Sequence, residues 1–549
     1  MRPTEPAEGT PAVAGPAPWA TPEGIVRSSA LVGLGTALSR VTGFVRLAAI
    51  AYAIGFTRLT DTYNLANTTP NIVYELLLGG VLSAPLVRVF VDHLEDDDDE
   101  ATSAVVTMAA VALTAITVTG ILLAPWIVRM YTLRLEGADA IAQEEVATNL
   151  LRLLMPQMLF YGMTALITAL LHARRSFAAP AFTPVLNNTL VAAMFFALPS
   201  IADGTPTLGR LRGDDGLVWL LGLGTTAGIV AMTVGLWPAL RRAGVRLRPV
   251  FSPRHPAVRA VLRLSGWTVG YAGANQAALW VVLVLANDRA GAVAAYQGAF
   301  VFFQLPHGLF AVSLMTTIAP DLASAARRVD FDAFRERFRL GIRLLVLVVL
   351  PAVAGYLLLA RPIVAALLER GAFSGASARA TGDVLQAFAV GLLPFSLYLF
   401  TLRAFVVGLG DTRTPFVINL FENALNIGFA LALEPSLGVE GLALAYALAY
   451  SVAVVVALGV LGRRVGGLGL TSLGGSFARM LTAAGALAGA VLVIRATVGA
   501  ETGGGALTRT LVAVVAGAAA YLGSLVVLRA PELGLVRSRG GRAVSADAV

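Results

Sequence analysis

Apolar runs of about 20 residues, separated by short polar breaks, recur along almost the whole chain. A helix that crosses a bilayer needs roughly 20 mainly apolar residues. The pattern therefore predicts an all-α polytopic membrane protein with about fourteen transmembrane helices. The alternating pattern of an outer-membrane barrel is absent from the sequence. The predicted spans are 28–55, 62–91, 102–131, 146–171, 180–200, 216–240, 260–287, 291–320, 341–363, 380–408, 414–433, 438–462, 477–496 and 507–528.

The second half of the chain repeats landmarks of the first half. Three proline pairs recur at separations of 235 to 238 residues, namely Pro70 with Pro306, Pro156 with Pro394, and Pro180 with Pro415. A repeat of about six helices preserves helix direction, so we expect two parallel six-helix lobes around a central cavity. This is transporter architecture and argues against an enzyme. The expected units are an N-lobe at 26–240, a C-lobe at 257–463 and two C-terminal helices within 473–529, flanked by a disordered cytoplasmic tail at 1–25 and a second cytoplasmic tail at 530–549.

Composition supports this interpretation and narrows the chemistry. Of the 549 residues, 57% are hydrophobic and 13% are charged, and the net charge is +8. The chain has no cysteine, which excludes disulfides and thiol chemistry, and its four histidines are scattered. It also has no lysine, so all 41 basic residues are arginine. Most of them fall on one side of the predicted spans, which places both termini in the cytoplasm. The chain is therefore expected to cross the plasma membrane. The excess of arginine then belongs to cytoplasmic loops and does not indicate nucleic-acid binding.

Two arginines lie inside the first predicted span, in the stretch SRVTGFVRLA at 39–48. Arg40 is near the middle of the span, and Arg46 is about 9 Å farther along the helix axis. A charged residue at that depth costs at least about 2.5–3.5 kcal/mol. Arg46 could instead extend its side chain to one interface. We expect both guanidinium groups to face a wet cavity, where their planar donors would suit a phosphate group.

The second predicted span carries a polar stripe. Asn64, Asn67, Asn71 and Glu75 follow one another at steps of three or four residues, so they share one helical face that Asp61 begins. Such a stripe faces inward in a membrane protein, either as a substrate surface or as a set of interhelical hydrogen bonds. We expect Pro70 to break this helix. In the second lobe, polar residues such as Gln304 are candidates for the same surface.

The eleventh predicted span contains a mid-membrane carboxylate. Glu422 lies beside Asn419 and Asn423. A carboxylate with amide oxygens suits Na⁺ better than a transition metal, and the carboxylate alone could carry a proton. A structural asparagine ladder is the alternative. Apart from a coupling Na⁺ or H⁺, the sequence gives no sign of a cofactor.

These residues resemble a known family. The segments LSRVTGFVRLAAIAYAIG and DTYNLANTTPNIVYELLLGGVLSAPLVRVF, together with QLPHGLFAVSLMTTIAPDLA and LRAFVVGLGDTRTPFVINL, resemble the MurJ (MviN) lipid II flippases. That family belongs to the multidrug/oligosaccharidyl-lipid/polysaccharide (MOP) exporter superfamily. The resemblance spans about residues 25–530, and the variant of the second-helix motif looks actinobacterial.

The resemblance implies a function and a set of site residues. Lipid II, an undecaprenyl-diphosphate-linked glycopeptide, would move from the inner to the outer leaflet for peptidoglycan synthesis, cell-wall biogenesis and cell shape. Arg40 and Arg46 would bind the diphosphate, and Asp61 matches an acidic residue early in the second helix of the family. The cation site of the family would involve Asn419, Asn423 and Asn275. Membrane lipid and cell-wall synthesis proteins are the implied partners.

Two departures from the family pattern lower the expected positive charge of the cavity. Tyr74 and Glu75 occupy the place where many relatives carry an arginine after the Pro-Asn of the second helix. Val301 stands where relatives carry an arginine five residues before the eighth-helix proline. The cargo could therefore be another polyprenyl-linked glycan, and Glu75 with Glu422 keeps a cation-coupled drug antiporter open. A membrane glycosyltransferase or a scaffold is the rival from another class, with the acidic loop 95–100 as its one sequence feature.

Overall fold

The computed structural model describes residues 22–76, 99–245, 247–256 and 266–532, together with 90, 258–259 and 534. The described residues form helices and contain no β-strand. The helices are α1 (Pro22–Ile54), α2 (Arg58–Leu76), α3 (Asp99–Tyr131), α4 (Gly137–Leu154), α5 (Gln157–Ala173), α6 (Ala178–Ile201), α7 (Leu208–Arg212), α8 (Asp215–Arg242), α9 (Gly266–Ala286), α10 (Ala292–Pro306), α11 (Val312–Arg327), α12 (Phe331–Leu368), α13 (Gly375–Arg403), α14 (Arg413–Arg464), α15 (Gly474–Thr497) and α16 (Gly504–Val527). Two π-helical turns, His307–Ala311 and Ala404–Gly408, follow α10 and α13, and a 3₁₀ turn at Leu470–Leu473 precedes α15.

The helices agree with about fourteen membrane spans. Twelve continuous helical stretches in the described part of the chain are long and apolar enough to cross a bilayer. One of them, α14, has 52 residues, or about 78 Å at 1.5 Å per residue, more than twice the hydrocarbon core. The helix bends at Gly438, which lies three residues after Pro435 and has a φ of 62°, in the left-handed region. Because of this bend, α14 supplies two spans. The polar α2 completes the predicted number.

Several local boundaries differ from the predicted ones. The fourth span begins at Gly137 rather than at 146, and Pro156 separates α4 from α5. α2 continues through Pro70, which corrects the expected break, because neighbouring helices can hold a proline-containing membrane helix together. The second half of predicted span 62–91 falls largely outside the described residues.

The helices pack in two groups. In the first, α1 lies along α6, α6 along α8, and α2 along α4. In the second, α12, α13 and α14 pack in sequence, α9 lies against α14, and the α15–α16 pair packs on α12. Each repeated proline pair falls in corresponding spans of the two groups, as a six-helix repeat requires. The proposed lobe boundaries remain predictions, and nearly all of both predicted tails lies outside the described residues.

Most hydrogen bonds and ring contacts between the two groups occur at one end of the bundle, which we call the closed end: residues 52–61, 131–143, 287–294, 369–374 and 434–438. The backbone N–H of Ala372 donates to Tyr52 O at 2.8 Å. The Phe56 and Phe373 rings meet edge to face, with centroids 4.8 Å apart. A Cβ at Gly291 would lie 2.5 Å from Phe56 O, so the two chains could not approach this closely with another residue there. The cavity between the groups is therefore sealed at this end.

Candidate functional site

A cavity between the two helix groups consists of two adjoining chambers. The lower chamber, with a volume of about 510 Å³, lies between α1, α6, α10 and the π-helical turn after α10. The upper chamber, of about 260 Å³, extends toward the closed end between α1, α2, α5, α6, α8 and α10. Gly43, Arg46 and Val301 line both chambers, so the two are continuous at the level of Arg46.

Both first-helix arginines reach this cavity, as the sequence predicts. Arg40 is exposed in the lower chamber, beside the π-helical turn, where a Cβ at Gly308 would lie 3.7 Å from its Nη2. Arg46 is half-buried at the junction of the chambers, within electrostatic range of Tyr63 and Tyr161. Neither guanidinium forms an ion pair or a hydrogen bond with a side chain that the structure describes. Two unpartnered cations in a cavity can accept an anionic ligand.

The backbone around these arginines is fixed by close helix packing. Gly43 lies between them on α1, and a Cβ there would come within 3.4 Å of Asn188 Nδ2. This amide donates to Ser39 O at 3.1 Å and to Thr42 Oγ1 at 3.3 Å. A Cβ at that distance would make an ordinary van der Waals contact, so it is the Asn188 amide that holds α6 against the helix that carries both charges.

The polar stripe of α2 lines the upper chamber. Asn64, Asn67 and Asn71 all border it, and Asn71 Nδ2 donates to Asn67 O at 2.9 Å. Glu75, one turn farther on, is exposed and lies within electrostatic range of Tyr161. Gln304 of α10 lines the lower chamber. The structure thus brings together six of the eight predicted substrate residues along the cavity, with Glu75 close by.

Asp61 lies elsewhere. It is fully buried at the closed end, where its carboxylate accepts hydrogen bonds from Gly291 N at 2.5 Å and Ala294 N at 2.9 Å. These N–H groups belong to the first turn of α10 and have no partner within the helix. A carboxylate at a helix N-terminus is also favoured by the helix dipole. In this conformation Asp61 therefore joins the two lobes and does not line the chambers, in contrast to its predicted place on the substrate surface.

Further polar contacts hold the closed end together. Gln143 Nε2 donates to Asn287 Oδ1 at 3.0 Å, and Arg58 Nη1 donates to Asn287 O at 2.5 Å. Arg134 forms an ion pair with the mostly buried Glu434 at 2.9 Å. The hydrogen bond that Arg134 donates to Glu434 raises the pKa of Arg134 above its ordinary value, although burial opposes the shift. Opening this end requires all these contacts to separate.

Several lining residues are absent from the set predicted from the sequence. Gln157, Asn187 and Thr225 border the upper chamber, as do Tyr63 and Tyr161. Gln157 and Asn187 are amides in apolar spans, which is the same signal that identifies Asn67, so the sequence could have indicated them. Tyr63 and Tyr161 carry no such signal, because aromatic residues are common in any membrane helix.

Comparison with known proteins decides the family. A family model described as "Lipid II flippase MurJ" matches residues 50–512, which is most of the chain. The chain belongs to the MurJ lipid II flippase family. The match includes Asp61, α2 and both halves of α14, whereas Arg40 and Arg46 precede it.

Named relatives and solved structures agree with this family. A probable lipid II flippase MurJ of Rhizobium meliloti (strain 1021) is 29% identical over 433 residues, covering 77% of each chain. The lipid II flippase MurJ of Burkholderia cenocepacia is 27% identical over 391 residues, covering 69% of this chain and 72% of its own. A solved MurJ lipid II flippase in an inward closed conformation aligns with a TM-score of 0.74 at 20% identity, over 91% of this chain and 99% of that one.

The fold extends to the wider MOP superfamily. An inward-facing multidrug resistance MATE family transporter aligns with a TM-score of 0.65 at 16% identity, over 78% of this chain and 96% of its own. Sequence identity at this level shows a common fold and does not indicate the cargo.

The cation site that the MurJ resemblance implies fits this chain only in part. Asn419 Nδ2 and Asn423 Nδ2 both donate to Asn275 Oδ1, at 2.9 and 2.8 Å, and Asn423 Nδ2 also reaches Asn419 O at 2.9 Å. The three predicted amides are thus together, but they hydrogen-bond one another and include no carboxylate. Such a triad is a poor cation site, because Asn275 Oδ1 already accepts two hydrogen bonds.

A second set of oxygens on α14 has no such partners. Asn419, Glu422 and Asn426 follow one another at i, i+3 and i+7 and are all buried, with Glu422 1% exposed. Asn419 Oδ1, both carboxylate oxygens of Glu422 and Asn426 Oδ1 accept no hydrogen bond from any described residue. A carboxylate with amide oxygens fits a monovalent cation or a proton better than the triad does.

Proposed function

We propose that this chain is a transporter, not an enzyme, and that it moves lipid II from the inner to the outer leaflet of the plasma membrane. The observation that carries the proposal is that Arg40 and Arg46 line a cavity between two lobes and have no ion-pair partner among the described residues. Guanidinium groups bind diphosphate through charge-assisted hydrogen bonds. No described residue offsets the free-energy cost of placing these two charges within the membrane, so an anionic ligand is the natural partner.

The proposed cycle is alternating access. The arginine distribution supports cytoplasmic termini, which would place the closed end outside and the lower chamber toward the cytoplasm. The headgroup would enter from the inner leaflet while the polyprenyl tail stays in lipid. Separation of the closed-end contacts and closure of the opposite end would then expose it to the outer side. Peptidoglycan-polymerising enzymes would consume it there, which makes cell-wall synthesis proteins the expected partners.

Drug–cation antiport is the weaker alternative. A cationic drug needs a carboxylate in its cavity, yet the described residues that line the two chambers include none. Glu75 lies near the upper chamber but does not line it, whereas Arg46 lines both chambers and would repel a cationic drug. The lining therefore favours an anionic headgroup, and lipid II is favoured over other polyprenyl-linked glycans by the family to which the chain belongs.

We also propose that transport is coupled to Na⁺ or H⁺ in the second lobe. Glu422, Asn419 and Asn426 would hold the ion, supported by their unpartnered oxygens. The bound ion would neutralise the buried carboxylate and thereby favour one packing of α14 against α9 and α13. A charge that crosses the membrane potential is worth about 2.3 kcal/mol per 100 mV, enough to bias the two states.

The test is depletion in the native host, followed by a sidedness assay for lipid II. We expect lipid II to accumulate in the inner leaflet and to disappear from the outer leaflet. Re-expression of the wild-type chain should restore outward lipid II, whereas the Arg46→Ala variant, produced at the same level, should not. Normal outward lipid II after depletion, with no second flippase in the host, would refute the proposal.

A further inference from the structure

The two lobes line the cavity with different chemistry. The first lobe supplies both arginines and, in the upper chamber, amides and hydroxyls from four helices. The second lobe, as far as its described residues show, supplies small or apolar residues from α10 and the π-helical turn, with Gln297 and Gln304 as its polar side chains. Val301, which borders both chambers, is apolar.

The first-lobe wall also has unused hydrogen-bonding capacity. Gln157 is fully buried, and its Nε2 reaches Thr226 Oγ1 at 3.3 Å, but its Oε1 accepts no hydrogen bond from a described group. Asn67 Oδ1 is likewise buried without a donor. An unsatisfied buried acceptor costs about 1–3 kcal/mol. Both acceptors belong to side chains that border the upper chamber, so rotation of either amide toward a ligand rich in hydroxyl and N–H donors would satisfy it. Carbohydrate and peptide groups have this chemistry.

The second-lobe wall has less of this capacity, since its polar side chains are two amides, Gln304 in the lower chamber and Gln297 in the upper one. Gln297 Nε2 already donates across the chamber to Thr68 Oγ1 at 3.1 Å. Opening the closed end would break this hydrogen bond as α10 moves away from α2. A headgroup that bound charged or polar groups on both walls would resist that movement, because it would have to release one wall during the step.

We propose that the first lobe alone holds the headgroup throughout the cycle, with Arg40 and Arg46 on the diphosphate and the amide wall of Asn67 and Gln157 on the glycopeptide, while the second lobe moves past it. This inference rests on the proposed lipid II function and specifies which residues select the cargo. The second lobe then supplies closure and ion coupling but little headgroup affinity.

The test compares two ligands and two matched amide deletions. Dissociation constants for lipid II and for undecaprenyl diphosphate, which lacks the glycopeptide, are measured with the full chain in nanodiscs. Asn67→Ala removes an amide from the first-lobe wall of the upper chamber, and Gln297→Ala removes one from the opposite wall. Asn67→Ala should weaken lipid II binding about tenfold and leave undecaprenyl diphosphate unchanged. Gln297→Ala should change both constants less than twofold.

Each outcome is informative. Equal loss of lipid II affinity in both variants would mean that the headgroup spans both lobes, and the inference would be wrong. Failure of the wild-type chain to prefer lipid II to undecaprenyl diphosphate would instead overturn the proposed function. If Asn67→Ala does not fold, Gln157→Leu serves as the first-lobe variant, because it keeps the side-chain size and removes the same acceptor chemistry.

Discussion

The two lobes contain similar polar residues but direct them differently. In the first lobe, Arg46, Asn67 and Gln157 face the cavity. In the second lobe, the comparable groups turn toward one another: Asn275 accepts from Asn419, and His307 Nδ1 lies 3.0 Å from Ser396 Oγ. The polar residues of the first lobe thus border a cavity, whereas those of the second lobe hydrogen-bond mainly with one another.

This difference shows that a polar residue in a membrane helix is a necessary but insufficient sign of a substrate site. From the sequence alone, Asn64 on α2 and Asn423 on α14 are equally good candidates for a substrate site, since both lie on polar helical stripes. What separates them is whether a neighbouring helix offers a partner.

Loss of both arginines should have the largest effect. The double variant R40A/R46A removes the unpartnered charges from the first-lobe wall, and each lost charged hydrogen bond to phosphate costs about 1.5–3 kcal/mol. Lipid II affinity should fall by more than a hundredfold and outward transport should stop. Binding assays in nanodiscs measure the affinity for lipid II, and the sidedness assay measures outward transport.

The control is Arg379→Ala, which removes an exposed arginine of α13 that lines neither chamber. It should keep wild-type affinity. Wild-type affinity in the double variant would remove the basis for assigning the diphosphate to the first lobe.

Loss of the Asp61 carboxylate should open the closed end. Asp61→Ala leaves Gly291 N and Ala294 N without their acceptor, so the closed state should lose about 2–3 kcal/mol or more relative to the open state. Because the chain has no cysteine, Thr57→Cys and Ala290→Cys can be spin-labelled without background. The distance distribution between the labels should shift to longer values.

Asn64→Ala, in the same helix but in the chamber wall, is the matched control and should leave the label distances unchanged. Identical distributions in the Asp61 variant and the wild type would show that the carboxylate does not hold the lobes together.

A charge added to the second-lobe wall should make the two walls more alike. Val301→Arg places a guanidinium opposite Arg46, at the junction of the chambers. The affinity for undecaprenyl diphosphate should rise severalfold, while the rate of outward transport falls, because the headgroup would now contact both lobes. Val301→Met, of similar length and without charge, controls for size. Faster transport in the arginine variant would contradict the one-lobe interpretation.

The smallest effect concerns the start of α14, far from either wall. Asp411 Oδ1 accepts from Arg413 N and Thr414 N, both at 3.0 Å. Burial would raise the pKa of Asp411, but the hydroxyl and N–H of Thr414, the charge of Arg464 and the N–H of Arg413 together hold it below its ordinary value. Asp411→Ala should cost about 1 kcal/mol, measured as a small fall in the thermal unfolding midpoint.

The pH dependence of this contribution follows from the lowered pKa. A carboxyl whose pKa is lower in the folded state stabilises that state fully above the ordinary value, near 3.8, and progressively less as the pH falls below it. The difference in unfolding midpoint between the wild type and Asp411→Ala should therefore shrink in acid. A constant difference down to pH 3 would contradict this assignment.

Much of the fold follows from the sequence because a bilayer leaves the backbone few alternatives. The length of apolar runs indicates the spans, and the proline repeat indicates two lobes. The placement of Arg40 and Arg46 in the cavity was also predictable, since charge at that depth demands water or a partner. The role of Asp61 was not, because its partners are backbone N–H groups about 230 residues away, which no local pattern reveals. The same holds for the amide triad, whose satisfaction depends on the distance between α9 and α14.

The polar contacts of the closed end have a practical consequence. Asp61, Gln143, Asn287 and Arg134 hold the lobes together at a distance from Arg40 and Arg46, the arginines proposed to bind cargo. If the closed end faces outward, as proposed, a small molecule that bound there and stabilised those contacts would halt the cycle without competing with lipid II. Rising cargo concentration could not displace such an inhibitor from its own site, and it would not need to enter the cell.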